Sequence, residues 1–405
     1  YRYALALRNN HATSEAAALY IGGSWLDKAG SGHCPLYKKY AAKGRKMLEY
    51  LVQNLVYEDG SFAQHSVNYH RLFLDTLSLV IFWNRELQPR PFPDQFYETA
   101  GKSVDWLLSL VDPSGRCPNL GSNDGTLLQG NHSCEYLDYR PSLQAASVLI
   151  KRKRVFDTGP WDETLYWFGI RKDDFTLEPF HRGTKIFGSG YVIMDNGTSW
   201  ALIRFPFYKF RPSHNDVFHF DLWANGRNLL CDSGSFSYHP DKTSNVPDLR
   251  SVHSHNTLSF DQQEQMPRLG RFLLGRWMKP NQIGKLMNQE HWDGAWEGSY
   301  RDANGNLHWR SVRWKHNMWE VVDRFTGSAA NVEIGYNFND DDFSLDKESN
   351  TLFLSWGRIK ISGHATISIR RHMISQYYMS SNTAYRLVIS AKNRAEAVTT
   401  IHLFS

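Results

Sequence analysis

The side chains best suited to chemistry fall in three separate stretches of the sequence. The first stretch, RNNHATSEAAALY, places Asn9, Asn10 and His11 at a predicted helix start. Asn is also a common helix cap for backbone reasons alone, and a His beside a cap is often only a surface residue. The stretch is therefore either part of a polar site or an ordinary helix start.

The second stretch, FAQHSVNYHRLFLDTL, puts His65, Tyr69, His70 and Arg71 at the entry to a predicted helix. Titratable groups beside an apolar helix face suit the edge of a site, and a Tyr near cations can act as a general acid or base. Tyr and His at helix entries are also common without any function. Both interpretations stay open on local grounds.

The third stretch consists of RPSHNDVFHFDLWANGRNLLCDSGSFSY and, further on, LRSVHSHNTLSF. Histidine and carboxylate side chains on separate strands are a usual way to build a metal site with an open position. The alternative is a set of hydrogen-bonded polar residues within a sheet. The candidates are His214, Asp216, His219, Asp232, His253 and His255.

The order of these motifs resembles the heparinase II/III group of polysaccharide lyases. The motifs NNH, YH, the long PSHND-to-DSGSFSY block and HNT cover roughly residues 5–265. The resemblance implies that Asn10 and His11 neutralise the carboxylate of a uronic acid. It also implies that Tyr69 is the acid, and also the base, of a β-elimination.

The resemblance further implies a metal, usually zinc or else another divalent cation, in the second half of the chain. Its ligands would be His214, Asp232 and His255, and we expect it to be structural. One position departs from the pattern, since Pro212 stands where several branches carry a histidine. That departure favours Tyr69, helped by His11, as the proton-transfer group, and it leaves weakened activity open.

The expected activity is cleavage of an acidic, uronic-acid-containing polysaccharide to give an unsaturated uronate end. Two alternatives remain: a glycan-binding or polysaccharide-assembly protein without turnover, and a glycoside hydrolase that uses Glu15 and Asp124 as its two carboxylates. The polymer, the endo or exo mode, the sulfation preference and the oligomeric state stay open. We assign substrate contacts to His65, His70, Asp124, Arg211 and Arg250.

Two patterns of hydrophobicity predict an α domain followed by a β domain. Apolar spacings of three and four indicate helical hairpins over residues 1–160, which we expect to form an incomplete α/α toroid. Residues 161–190 are a predicted linker. Over residues 191–405, period-two alternation with Asn-Gly turns indicates a large antiparallel β-sandwich that carries the metal site.

Composition narrows the possible partners. The net charge of +5 comes from 46 basic and 41 acidic residues that are interspersed, and no nucleic-acid-binding motif is present, so an acidic polysaccharide suits the chain better. No apolar run approaches the ~20 residues of a membrane span. The chain opens without an export signal, and we expect a missing upstream segment and a periplasmic or secreted location.

Cys117 and Cys134 could form a disulfide or remain thiols.

Overall fold

A computed structural model of the chain describes residues 8–30, 34–87, 90–239, 246–287, 290–392 and 396–404. The chain divides into two compact units. The first contains residues 1–117 and 125–182, and the second contains residues 118–124 and 183–405. No helix among these residues is long and apolar enough to cross a membrane.

Six α-helices lie in the described part of the first unit. They are α1 (Asn10–Ala29), α2 (Pro35–Leu55), α3 (Val67–Leu87), α4 (Asp94–Leu108), α5 (Arg140–Ala146) and α6 (Glu163–Trp167). The first two helices cross very closely, because a Cβ atom on Gly44 would lie 2.4 Å from the Tyr20 backbone nitrogen. Glycine at this position therefore allows α1 and α2 to pack backbone to backbone.

The apolar stripes of the helices are buried. Leu48, Leu51 and Leu55 on α2 are at most 2% exposed, and the apolar residues at the same spacing on α3 and α4 are at most 3% exposed. Such stripes stabilise the helices mainly through tertiary packing rather than through intrinsic propensity. Val111 is also buried, beyond the end of α4.

The second unit is built from antiparallel strands. The first group is β1 (Lys185–Phe187), β2 (Tyr191–Asp195), β3 (Ser199–Arg204), β4 (Phe220–Ala224), β5 (Arg227–Leu230), β6 (Leu258–Phe260), β7 (Arg268–Gly270), β8 (Leu273–Leu274) and β9 (Pro280–Met287). The second group is β10 (Gly294–Arg301), β11 (Leu307–Lys315), β12 (Met318–Thr326), β13 (Asn331–Phe338), β14 (Phe343–Asp346), β15 (Thr351–Leu354), β16 (Gly357–Gly363), β17 (Ala365–Tyr377), β18 (Ser380–Lys392) and β19 (Glu396–Leu403).

Three sheets share one core. Their strand orders are β1-β2-β3-β4-β5, β14-β15-β16-β19-β12-β11-β10-β9 and β17-β18-β13-β6, with β7 and β8 as a separate ribbon. Buried residues of all three, among them Phe220, Trp319 and Ile334, belong to a single hydrophobic cluster. The predicted fold class, helices followed by a large antiparallel β region, is confirmed.

The predicted hairpins are present. At β4–β5, Ala224 pairs with Arg227 across Asn225 and Gly226, whose φ angles are 51° and 74°. Two successive positive φ angles define the turn that matches strand twist and favours Asn-Gly. The Asn-Gly turns between β2 and β3 and between β10 and β11 join paired strands as well.

The predicted linker at 161–190 needs correction. It contains α6, where Leu165 is buried against Ala145 and Val148 of the helical unit, and it also contains β1. The helical unit therefore extends to residue 182, while residues 118–124 belong to the β unit. All four cysteines are free thiols, so Cys117 and Cys134 form no disulfide.

Candidate functional site

The NNH motif separates into a structural residue and a candidate functional one. Asn9 caps α1, since its buried side chain accepts a hydrogen bond from the His11 backbone N–H at 3.2 Å. Asn10 is the first helical residue, and its N–H donates to Gln64 Oε1 at 2.9 Å. Its side-chain Oδ1 is buried and has no hydrogen-bond partner within the described part of the chain. His11 is exposed.

The Asn10–Gln64 hydrogen bond joins this helix start to the segment that leads into Tyr69. His65 in that segment has φ of 44°, and its Nε2 lies 3.2 Å from the Tyr57 hydroxyl. Tyr69 is the third residue of α3 and donates its backbone N–H to Ser66 Oγ at 3.1 Å. The structure thus brings together two of the motifs that are 54 residues apart in the sequence.

His70, predicted as a substrate contact, lies in the helical core. It is 1% exposed, stacks on Trp106 with ring centroids 4.6 Å apart, and its Nε2 lies 2.9 Å from the Ser103 carbonyl oxygen. Burial lowers the pKa of this imidazole to about 4, so Nε2 carries the proton that bonds Ser103. This placement gives His70 a packing role and offers no support for contact with substrate.

Of the other predicted substrate contacts, the buried His65 lies in the helical unit, and Asp124, Arg211 and Arg250 belong to the β unit. Arg250 is only 7% exposed, because its Nε donates to Asp248 Oδ1 at 2.8 Å and its Nη1 donates to the Arg271 carbonyl at 2.9 Å. These contacts make Arg250 a link between backbone segments. Asp124 and Arg211 are half-buried, and contact with substrate stays a prediction for both.

Of the six candidate ligands in the third motif, three converge. His214, Asp232 and His255 are buried, and one ligand atom from each lies within 4.8 Å of the others. His255 Nδ1 is 2.7 Å from Asp232 Oδ2, and the rings of His214 and His255 have centroids 5.3 Å apart. We call this set the His/Asp cluster.

The donor set of the His/Asp cluster fits a metal ion. His214 Nδ1 and His255 Nε2 are buried ring nitrogens that have no hydrogen-bond partner among the described residues. Unpartnered buried polar atoms are costly, and a cation would satisfy them. Two imidazoles and one carboxylate are ligands that zinc commonly takes in proteins. These residues would hold the metal, and it would tie three chain segments together.

Electrostatics around the His/Asp cluster favour a charged carboxylate. Burial would raise the pKa of Asp232, but His255 and His219 outweigh burial and lower it to about 2. Burial lowers the pKa of His214 to about 3, with His255 adding to the shift. An ionised Asp and a neutral His are the forms that bind metal.

His219 lies close to Asp232 but has other partners. Its Nδ1 accepts the Asn256 backbone N–H at 2.9 Å, so Nε2 carries the ring proton and faces Asp221 Oδ2 at 3.3 Å. Both ring nitrogens therefore have partners, and Nδ1 fixes the segment next to His255. Asp216 is buried, and His253 Nε2 lies 3.1 Å from the Gln262 carbonyl oxygen.

A buried ion pair holds the segments behind the His/Asp cluster. Arg310 Nε donates to Asp323 Oδ1 at 2.7 Å, and His308 Nε2 contacts the same oxygen at 2.7 Å. Arg310 Nη1 also donates to the Asn256 carbonyl at 2.9 Å and to the Phe218 carbonyl. Phe218 adopts φ of 63°, which costs energy for a non-glycine residue. The guanidinium therefore fixes both backbone segments that flank the cluster.

Residues 182–400, which contain the His/Asp cluster, match the heparinase II/III-like C-terminal family. The chain belongs to this family. Among curated proteins, no sequence gives a significant match. The heparinase II/III-like assignment covers more than half of the chain, and the remaining comparisons are with solved structures.

Solved structures of polysaccharide lyases share the fold of this heparinase II/III-like chain. A heparinase III structure is 18% identical with a TM-score of 0.75, and the match covers 98% of this chain and 60% of the heparinase III chain. Heparan sulfate lyase HepC from Pedobacter heparinus is 17% identical (TM-score 0.68; 98% and 60%). Chondroitin AC lyase from Streptomyces coelicolor is 12% identical (TM-score 0.59; 98% and 62%). The chain thus spans about three fifths of the length of these lyases.

Two side chains near the His/Asp cluster were not identified from the sequence. Arg386 Nη2 donates to the His255 carbonyl oxygen at 3.0 Å, and His372 Nε2 lies 2.7 Å from Ser233 Oγ, next to Asp232. Both lie in strands far beyond the HNT motif. In the sequence, the run Arg370, Arg371 and His372 within a β-alternating segment could have indicated polar residues near a site.

Proposed function

We propose that this protein cleaves a uronic-acid-containing polysaccharide by β-elimination, with Tyr69 as the proton-transfer group. The observation that carries the proposal is the Asn10–Gln64 hydrogen bond, which sets the NNH helix start beside the segment that ends at Tyr69. Membership of the heparinase II/III-like family and the fold shared with polysaccharide lyases support it.

The reaction must remove the weakly acidic C5 proton of a uronate. In the proposed step, the C5–H bond breaks and the proton passes to the deprotonated Tyr69 oxygen. The electron pair forms the C4–C5 double bond, the C4–O bond breaks, and the phenol returns its proton to the departing oxygen. No water is consumed, so a second catalytic carboxylate is not required.

The carboxylate of the uronate accumulates charge as the C5 proton leaves. A side-chain amide donor at Asn10 and the exposed imidazole of His11 would stabilise that charge. Pro212 occupies the position where several branches of the family carry a histidine, which leaves both halves of the proton transfer to Tyr69. The same proline also favours the alternative of a glycan-binding homologue without turnover.

The test is to incubate the protein with heparan sulfate, chondroitin sulfate and the unsulfated polyuronate alginate while following the ultraviolet absorbance of unsaturated uronate. Tyr69→Phe keeps the ring and removes the hydroxyl, so turnover should fall ~100- to 10,000-fold, the range for loss of a positioned acid or base. Asn10→Ala should lower turnover by weakening carboxylate stabilisation.

Tyr50→Phe is the matched control, because Tyr50 lies on α2 and is 61% exposed. It should act at the wild-type rate. Wild-type turnover by Tyr69→Phe, or products without a double bond, would rule out this mechanism. Binding of an acidic polysaccharide by the wild-type protein without any product would instead support the glycan-binding alternative.

A further inference from the structure

Two adjoining hollows lie on the outer face of the β17-β18-β13-β6 sheet. One, of about 450 Å³, lies between this sheet and the segment 247–264. The other, of about 750 Å³, continues along β13, β17 and β18. They share Gln262, Glu333 and Arg370 as lining residues, and we call them together the sheet groove.

Arg386 lines the sheet groove and is 5% exposed. Its guanidinium lies flat over Gly335, where a Cβ atom would approach Arg386 Cζ to 1.9 Å. Nη1 donates to Asn337 Oδ1 at 2.6 Å, Nη2 donates to the His255 carbonyl at 3.0 Å, and Nε has no hydrogen-bond partner among the described residues. All its acceptors are neutral, so this buried cation contacts no counter-ion among the described residues.

Burial lowers the pKa of Arg386 to about 10, with Glu333 opposing the shift and Arg370 adding to it. The side chain therefore stays cationic at neutral pH. A buried charge without a partner is strongly destabilising. An anion in the sheet groove would provide the missing partner.

Sheet register adds a second cation at the same place. Arg370 on β17 lies directly opposite Arg386 on β18, and like charges directly opposite each other on one sheet face are destabilising. Lys392 has no carboxylate within ion-pair distance in the described ranges. Arg371 lies opposite Tyr385 and donates to Thr383 Oγ1 at 3.0 Å, so its guanidinium lies on the other face of the sheet. Three cationic side chains, those of Arg370, Arg386 and Lys392, therefore lie on the groove face.

The three acidic residues of the sheet groove are already bound within the protein. Glu333 Oε2 pairs with Arg370 at 2.9 Å. Asp248 pairs with Arg250 and Arg268 at 2.8 and 3.1 Å. Glu264 Oε2 accepts the Val252 N–H at 3.0 Å. No described carboxylate forms an ion pair with Arg386 or Lys392, and Glu264, which accepts only a neutral N–H, is one negative charge against these two cations.

We propose that the sheet groove binds an anionic group of an acidic oligosaccharide, with Arg386 at its floor and Lys392 at its rim. The polar side chains of Asn331, Thr366 and Ser390 line the same groove and suit the hydroxyl groups of a sugar. The volume is that of a small-ligand site. The choice of an acidic sugar rests on the proposed function; the need for an anion rests on the charges alone.

Carboxylate and sulfate share the required chemistry, so the probes are a heparan sulfate hexasaccharide, an alginate hexasaccharide and neutral maltohexaose. The variant is Lys392→Gln, and the control is Arg358→Gln, which removes one exposed cation elsewhere in the β unit. Both carry Tyr69→Phe so that the sugar persists. Hydrogen exchange of β17 and β18 amides reports binding in the groove itself.

The control should show protection of these amides by one or both acidic hexasaccharides and none by maltohexaose. Loss of one exposed charge contact should raise the half-saturating concentration about two- to fivefold in the test variant. Protection by the heparan sulfate probe alone assigns sulfate, and protection by alginate shows that carboxylate suffices. Absent protection, or equal protection in the test variant and the control, would overturn the proposal.

Turnover by the wild-type protein separates this result from the proposed function. If unsaturated product forms but the β17 and β18 amides are unprotected, the sheet groove proposal fails and the lyase proposal stands. If the amides are protected but no product forms, the lyase proposal fails and the sheet groove stands.

Discussion

His70 should make the stability of the helical unit depend on pH, and the change to test is His70→Gln. The imidazole is 1% exposed and neutral, with one nitrogen bonded to the Ser103 carbonyl oxygen and the ring stacked on Trp106. Gln can still donate a hydrogen bond to Ser103 but does not titrate. The comparison therefore isolates protonation from the loss of the hydrogen bond.

The magnitude follows from the two pKa values of His70. The folded value is about 4 and the value without the fold is 6.5. Because the folded pKa is lower, the unfolded chain binds more protons between these values, so stability falls as pH falls. The contribution of His70 to the free energy of unfolding is complete above pH 6.5. It falls by about 2 kcal/mol by pH 5 and by about 3 kcal/mol below pH 4, because a difference of one in pKa corresponds to ~1.4 kcal/mol.

The assay is denaturant unfolding of both proteins at pH 7 and pH 5, with hydrogen exchange of α3 and α4 to locate the change in the helical unit. His70→Gln should be less stable at pH 7, because it loses the stacking on Trp106, but its stability should fall by about 2 kcal/mol less between the two pH values. Parallel losses in the two proteins would refute the reasoning.

Since His70 adjoins Tyr69 on α3, acid should also loosen the helix that carries the proposed catalytic residue.

Two further predictions concern the β unit. His255→Ala should lose a bound transition metal, which we expect to be zinc, and with it thermal stability, as measured by elemental analysis and thermal unfolding. The control His364→Ala, at an exposed residue, should lose neither, and full metal occupancy in His255→Ala would contradict the ligand assignment. Asp323→Asn should lower the free energy of unfolding by about 3–5 kcal/mol in denaturant, because it leaves the buried charge of Arg310 unpaired. A loss below about 1 kcal/mol would show that the pair is not essential to the core.

The elements of this fold were predictable wherever the signal was local. Leu48, Leu51 and Leu55 mark one helix face by spacing alone, and Asn225-Gly226 marks a turn by conformational preference alone. The order of strands in the sheets has no such signal. β12 pairs with β19, and β13 pairs with β6; these pairings depend on burying three sheets in one core. The end of the helical unit was also not predictable from local sequence, because it depends on the burial of Leu165 against Ala145.

The candidate site was predictable to a different extent in each unit. His214, Asp232 and His255 lie in motifs whose residue types suit a metal, and the structure brings them together. His70 has an equally suitable residue type but faces the core. Helix α3 is buried on nearly all sides, including at polar residues such as Arg71 and Asp75. On such a helix, a polar side chain does not mark an exposed face, so periodicity cannot distinguish a site residue from a packed one.

Arg386 shows where the alternation rule for strands fails, and the failure has a physical cause. In β18, Tyr385 and Leu387 pack against the core, so Arg386 should face outward. It does lie on the outer face, but that face is covered by the segment carrying His255, whose carbonyl oxygen accepts its hydrogen bond. Local rules tend to fail at functional positions, where a residue is kept despite its cost. Glu333 and Asp248 are bound to Arg370, Arg250 and Arg268, and Glu264 to the Val252 N–H, so the counter-ion for Arg386 is expected from a ligand rather than from the described part of the chain.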